Sequence, residues 1–158
     1  MVNYLWHIQK YQIKNMKNIK LIKKYFSNLR GSTSDNVYYF WAERGDNPKM
    51  ETSINFLMTE VGNFIDWHYN FAVDPESKSL SGNAFFLDKE NNNIIIDDML
   101  HDSEEDHEDR AAMPKDDFLK LLNDWQKVYS QKPDEIIITQ DENGKISITG
   151  KFTDGREI

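Results

Sequence analysis

The chain has 158 residues, of which 39% are hydrophobic and 13% aromatic, and a formal net charge of −8. That composition suits one folded domain of ordinary size and excludes a disordered chain. The absence of cysteine excludes disulfides, a thiol nucleophile and cysteine-ligated zinc, and fits a reducing cytosol.

The charge is unevenly spread. Residues 1–30 hold seven basic side chains and no acid, so residues 31–158 carry −15. Phosphates need cations, so this acidic body disfavours nucleic acid. It favours a basic protein partner, or simple solubility. No apolar run approaches the roughly 18 residues of a membrane span. "MVNYLWHIQKYQIKNMKNIK" has neither the apolar run nor the cleavage site of a secretion signal. A cytoplasmic protein without a membrane partner is expected. The abundance of Asn, Lys and Ile suggests an AT-rich bacterial coding sequence.

Residues 1–15 are expected to be an extension, with one domain over 16–158. From Met16, the residues Ile19, Ile22, Phe26 and Leu29 recur at helical spacing, which predicts an amphipathic N-terminal helix. Its lysines are explained by solvation and its stripe by packing on a sheet. "NVYYFWAER" predicts a strand, and "TSINFLMTEV" a second. Next, Ile65, Trp67, Tyr69, Phe71 and Val73 alternate with Asp66, His68, Asn70 and Ala72. This two-residue period predicts a strand with one wetter face. His68 falls on that wetter face, as a surface or groove residue rather than a general base.

"DPESKSLSGN" reads as a loop, and "AFFLD" and "NIIIDD" as a hairpin joined by "KENNN". "MPKDDFLKLLNDWQKVYSQKP" is a punctuated helix. Pro114 suits its first position, and Asp116 and Asp117 suit the positive end of its dipole. Phe118, Leu121, Leu122, Trp125, Val128 and Tyr129 form its apolar stripe, and Pro133 closes it. "DEIIITQDENGKISITGKF" predicts a hairpin with a type I′ turn at Asn143-Gly144. The expected fold class is α+β: a single domain with a mostly antiparallel sheet of about six strands, an N-terminal helix and a helix near 114–131.

The chemistry concentrates in "HDSEEDHEDR", His101 to Arg110. A docking surface for a cationic partner, a solvated loop and a metal site are its three readings. His101 and His107 with neighbouring acids would have to hold the metal, but their spacing matches no common zinc pattern. An EF-hand loop begun at Asp88 places Asn93 and Met99 where glycine and glutamate are needed. A carboxylate nuclease motif fails too, because Glu142 and Lys145 lie inside a turn. The dense aromatics of "YYFW" and "FIDWHY" should mostly be core. Any exposed Tyr or Trp beside acids would make an interface anchor.

One stretch, "FLKLLNDWQKVYSQKPDEIIITQDENGKISI", resembles the ending of small immunity proteins from bacterial polymorphic-toxin and contact-dependent growth inhibition systems. The likeness spans roughly residues 115–148, about a fifth of the chain. It implies a compact, acidic cytosolic protein that binds and blocks a cognate, commonly basic, toxin domain. No residue role is carried over.

The expectation is therefore a non-catalytic immunity-type inhibitor without cofactor or metal. It would cover a basic toxin domain, such as a nuclease, through Asp97, Asp98, Asp102, Glu104, Glu105, Asp106, Glu108 and Asp109. The alternatives are a small metal-dependent enzyme using His101 and His107, or a housekeeping interaction domain.

Overall fold

The structure is a computed structural model and describes residues 17–24, 37–42, 48–99 and 110–158. In chain order the elements are β1 (Lys17–Lys24), β2 (Val37–Ala42), α1 (Pro48–Phe56) running into a π-helical turn (Leu57–Val61), and α2 (Asp66–Val73). Then follow β3 (Ser79–Ser81), β4 (Phe85–Glu90), β5 (Asn93–Asp98), β6 (Ala111–Pro114), α3 (Lys115–Tyr129), β7 (Glu135–Gln140) and β8 (Ile146–Lys151). The α+β class is as expected. Among the described residues the strands form two antiparallel sheets of four, ordered β2-β1-β7-β8 and β3-β4-β5-β6, instead of one sheet of about six. The chain falls into two compact units, 1–45 with 132–158, and 46–131. The second is thus inserted in the sequence of the first.

In the first unit the described part of the expected N-terminal helix, Lys17–Lys24, is a strand, and Phe26 and Leu29 lie outside the described residues. Ile19 and Leu21 are buried while Lys20 and Ile22 are only half-buried, so the period is two. A short run with apolar residues at 19, 21 and 22 satisfies both periods, and pairing settles it. β1 is central, hydrogen-bonded to β2 on one side and β7 on the other. The register puts Leu21, Ile136 and Gly150 in one cross-strand row and Ile19, Ile138 and Ile148 in the next. On the opposite face Lys20 pairs with Glu135 at 3.1 Å.

Gly150 interrupts the alternation of β8 for a steric reason. A Cβ there would meet Pro133 Cγ and Ile158 Cγ1, each at 2.9 Å. The chain end folds back over this gap: Gly150 and Ile158 exchange both backbone bonds at 2.9 Å. This return covers part of the β8 edge, which would otherwise offer unpaired backbone groups.

The β7–β8 loop is not the expected type I′ turn. Of its residues only Gly144 has positive φ, +83°. The Gly144 N–H donates to the Asp141 carbonyl, and the Asp141 N–H to the Lys145 carbonyl, each at 3.0 Å. This is a type I turn followed by a left-handed bulge residue. Asp141 Oδ1 accepts from the N–H groups of Asn143 and Lys145 and so stabilises the longer loop. The two-residue turn with positive φ at both positions instead joins β4 and β5 at Asn91 and Asn92.

The second unit holds further corrections, beginning with β3, which lies inside the expected loop "DPESKSLSGN" and pairs with β4. "TSINFLMTEV" lies in α1 and its π-helical turn, with Met50, Ile54, Leu57 and Val61 buried at steps of three and four. The π-helical turn closes at Gly62, whose φ of +54° disfavours a side chain and whose N–H reaches the Leu57 carbonyl at 2.8 Å. The alternating stretch 65–73 is α2: Ile65, His68, Phe71 and Ala72 are buried while Trp67 and Val73 are exposed. Seen from the sequence, the aromatic run satisfied both periods, and helix packing selects the longer one.

α3 matches its expected stripe, with Phe118, Leu121, Leu122, Trp125 and Val128 buried. Pro114 caps this helix and also ends β6. The covered face of the sheet presents Phe85 and Leu87 on β4, Ile94 and Ile96 on β5, and Ala111 on β6. Phe56 sits at the centre of this core, with its ring 5.8 Å from Phe85 and 6.1 Å from Phe118.

Candidate functional site

β5 and β6 position the two described members of the acidic segment. Asp97 and Asp98 end β5, and twelve residues, 99–110, connect it to β6. A connection of that length between antiparallel neighbours is long for a hairpin, and such loops are commonly functional. Arg110 turns back at its end: its Nε and Nη2 both lie 3.2 Å from Asp97 Oδ2. Asp97 is therefore part of an ion pair at the base of the loop, and only partly available to a partner. Asp102, Glu104, Glu105, Asp106, Glu108 and Asp109 lie outside the described residues, as do His101 and His107.

His68 is not on a wet face. It sits on the buried side of α2, 3% exposed. Its ring meets Phe56 edge to face at 5.1 Å and Trp67 at 5.4 Å. Nδ1 is buried without a hydrogen-bond partner. Desolvation pushes its pKa below the usual histidine value, and the Glu60 charge opposes this only in part. The ring is held neutral, as a packing group.

Glu60, on the π-helical turn, is tied to the start of β4. Its Oε1 accepts from the Ala84 N–H at 2.5 Å and the Phe85 N–H at 3.3 Å. The loop approaches so closely that a Cβ on Gly82 would lie 2.7 Å from Oε2. Both oxygens thus have structural neighbours, and the carboxylate serves as a clamp.

The aromatics divide in a way that their composition alone does not show. Trp125 is fully buried, and its indole N–H donates to the Gly62 carbonyl at 2.9 Å. Gln126 Nε2 reaches the Asn63 carbonyl at 3.4 Å. These bonds hold the segment between the π-helical turn and α2. From it Phe64 stands 81% exposed and Trp67 57% exposed. Their three-residue spacing was the available sequence signal, hidden beneath the two-residue alternation.

Net charge separates by unit. Residues 46–131 carry 19 acids against 7 Lys and Arg, a net −12, while the first unit carries 8 acids against 12 bases, a net +4. Among the described residues no group of three or more His, Asp or Glu side chains could hold a metal ion, and no helix is long and apolar enough to cross a membrane. No model of a known protein family, no curated protein and no solved structure matches the chain.

Proposed function

We propose that the protein is a non-catalytic cytosolic binding module of the immunity type, whose acidic unit captures and blocks a basic toxin domain. The separation of charge carries this reading: residues 46–131 carry −12 and the rest of the chain +4, which concentrates the acidic charge in one unit and gives that unit a strongly acidic surface. Such a surface steers a cationic partner and speeds its capture. The long connection from Asp97 to Asp109 supplies its densest charge. A cell exposed to a toxin needs fast capture, and a noncatalytic blocker needs only a stable fold and a complementary face.

The test uses the product of the reading frame next to this gene. The expected result is a one-to-one complex whose affinity falls steeply with added salt. Replacing Glu104, Glu105, Asp106 and Glu108 with Gln or Asn counterparts, together with Asp109→Asn, should weaken it at least tenfold. Unchanged affinity and unchanged salt dependence in that variant would overturn the assignment.

A further inference from the structure

Phe64 and Trp67 are large apolar side chains that the fold holds out in solvent. On α2, Trp67, Asn70 and Val73 face solvent, and Phe64, two residues before the helix, is exposed as well. Ile65, His68, Phe71 and Ala72 are buried on the other side of α2. The helix therefore cannot turn Trp67 inward without losing its own core. Nor is the segment loosely attached. The Phe64 N–H donates to the Val61 carbonyl at 3.1 Å, and the Trp125 and Gln126 side chains hold the carbonyls of Gly62 and Asn63. Rigid, exposed aromatics have the character of interface anchors, because little ordering remains to be done on binding.

Charge identifies the occupant. Residues 50–77 contain five acids and neither lysine nor arginine. Asp66 lies between the two aromatics in sequence, and Asp74 and Glu76 follow α2; all three are exposed. Lys89, on β4, is already engaged, with Nζ 4.7 Å over the Phe71 ring and donating to the Asp74 carbonyl at 2.6 Å. An anionic lipid surface or a nucleic acid would be repelled. A symmetric contact with a second copy would set this acidic face against itself. A cationic protein surface satisfies both features: its apolar stems cover Phe64, and a guanidinium stacks on Trp67, which is the preferred ring for that contact.

We infer that exposed Phe64, which precedes α2, and Trp67 on its outer face, with the exposed acids Asp66, Asp74 and Glu76 of the same segment, form a docking surface for an arginine-bearing face of a basic partner protein. This deepens the binding role proposed above and rests on it. The probe is a nine-residue arginine peptide titrated into the full chain at 150 mM salt (about physiological screening), with a nine-residue lysine peptide beside it. Trp67→Phe identifies the Trp67 fluorescence. Circular dichroism confirms that Phe64→Ala and Trp67→Ala remain folded, as their exposure leads one to expect.

The expected result is quenching of Trp67, tighter binding of the arginine peptide than of the lysine peptide, and about fivefold or greater weakening in each alanine variant. Equal affinity for the wild-type and both alanine variants would overturn the α2 surface yet leave acidic capture standing. No binding to the wild-type chain would count against both. Self-association of the wild type in sedimentation, abolished by Trp67→Ala, would assign the face to a second copy and overturn the inference.

Discussion

The indole N–H of buried Trp125 donates to the carbonyl of Gly62 at 2.9 Å, across 63 residues of sequence. This single bond links the centre of α3 to the glycine that ends the π-helical turn, and so fixes where α2 begins. The Trp125 ring also stacks on Tyr129, with centroids 4.7 Å apart. Trp125→Phe keeps most of the volume and removes the donor. It should lower stability by about 1–2 kcal/mol in urea unfolding. Hydrogen exchange at Phe64 and Ile65 should speed up more than at β7, which lies in the other unit.

His68 should make the second unit acid-sensitive. Its pKa is lowered in the fold by desolvation, so the unfolded chain binds the proton more readily. The sign follows: stability is complete above the unfolded value of about 6.5 and is lost as pH falls from there towards the lower folded pKa. His68→Leu, which removes the titrating group while keeping an apolar filler, should flatten the dependence of melting temperature on pH between 7 and 5. A wild-type slope retained in that variant would show that other groups cause it.

The Glu60 clamp should be strong because two backbone donors converge on one charged oxygen. Glu60→Ala leaves the Ala84 and Phe85 N–H groups without it and should cost about 1–3 kcal/mol. Glu60→Gln keeps a carbonyl acceptor and should cost less. Gly82→Ala should weaken the same clamp from the other side, since its methyl group would displace Oε2. The double variant Gly82→Ala with Glu60→Ala should fall short of the sum of the single losses in denaturant titrations.

Gly150→Ala tests the chain-end return. The Pro133 ring cannot swing aside as a flexible side chain would, so the added methyl should cost about 1–3 kcal/mol. Removing Ile158 eliminates one of the two clashing neighbours. The alanine substitution should therefore cost less in a chain ending at Glu157 than in the full chain, as read from thermal melts.

What could be read from the sequence depended on whether one period or two fitted a segment. α3 has five buried positions at helical steps, acids in its first turn and a proline at its start, and no strand reading competes. The β4–β5 and β7–β8 hairpins were likewise apparent from short aromatic or β-branched runs on either side of turn residues. α2 was not. Ile65, Trp67, Tyr69, Phe71 and Val73 alternate without a break, and the packing of Ile65, Phe71 and Ala72 that overrides this pattern is long-range. β1 failed in the opposite sense, because its partner β7 lies more than 100 residues away. Composition revealed the acidic excess, but not the exposure of Phe64 and Trp67. Trp67 is exposed because its segment is a helix, whereas the strand reading placed it on the buried face with Ile65 and Phe71.

The insertion of one unit within the other has a consequence for the order of synthesis. β3 to β6 form a local meander, and every element of that unit is complete by residue 131. β1 and β2, made first, must wait for β7, with Ile19 meeting Ile138. Between Ala42 and Glu135 the ribosome adds 93 residues, roughly 5–20 s at ordinary rates. Throughout that interval β1 has an edge with no partner strand. Four of its eight residues, Lys17, Lys20, Lys23 and Lys24, are lysines, the side chain that best discourages an unpaired edge from joining another chain. The lysine content of β1 thus suits a strand that must stay single until its partner arrives.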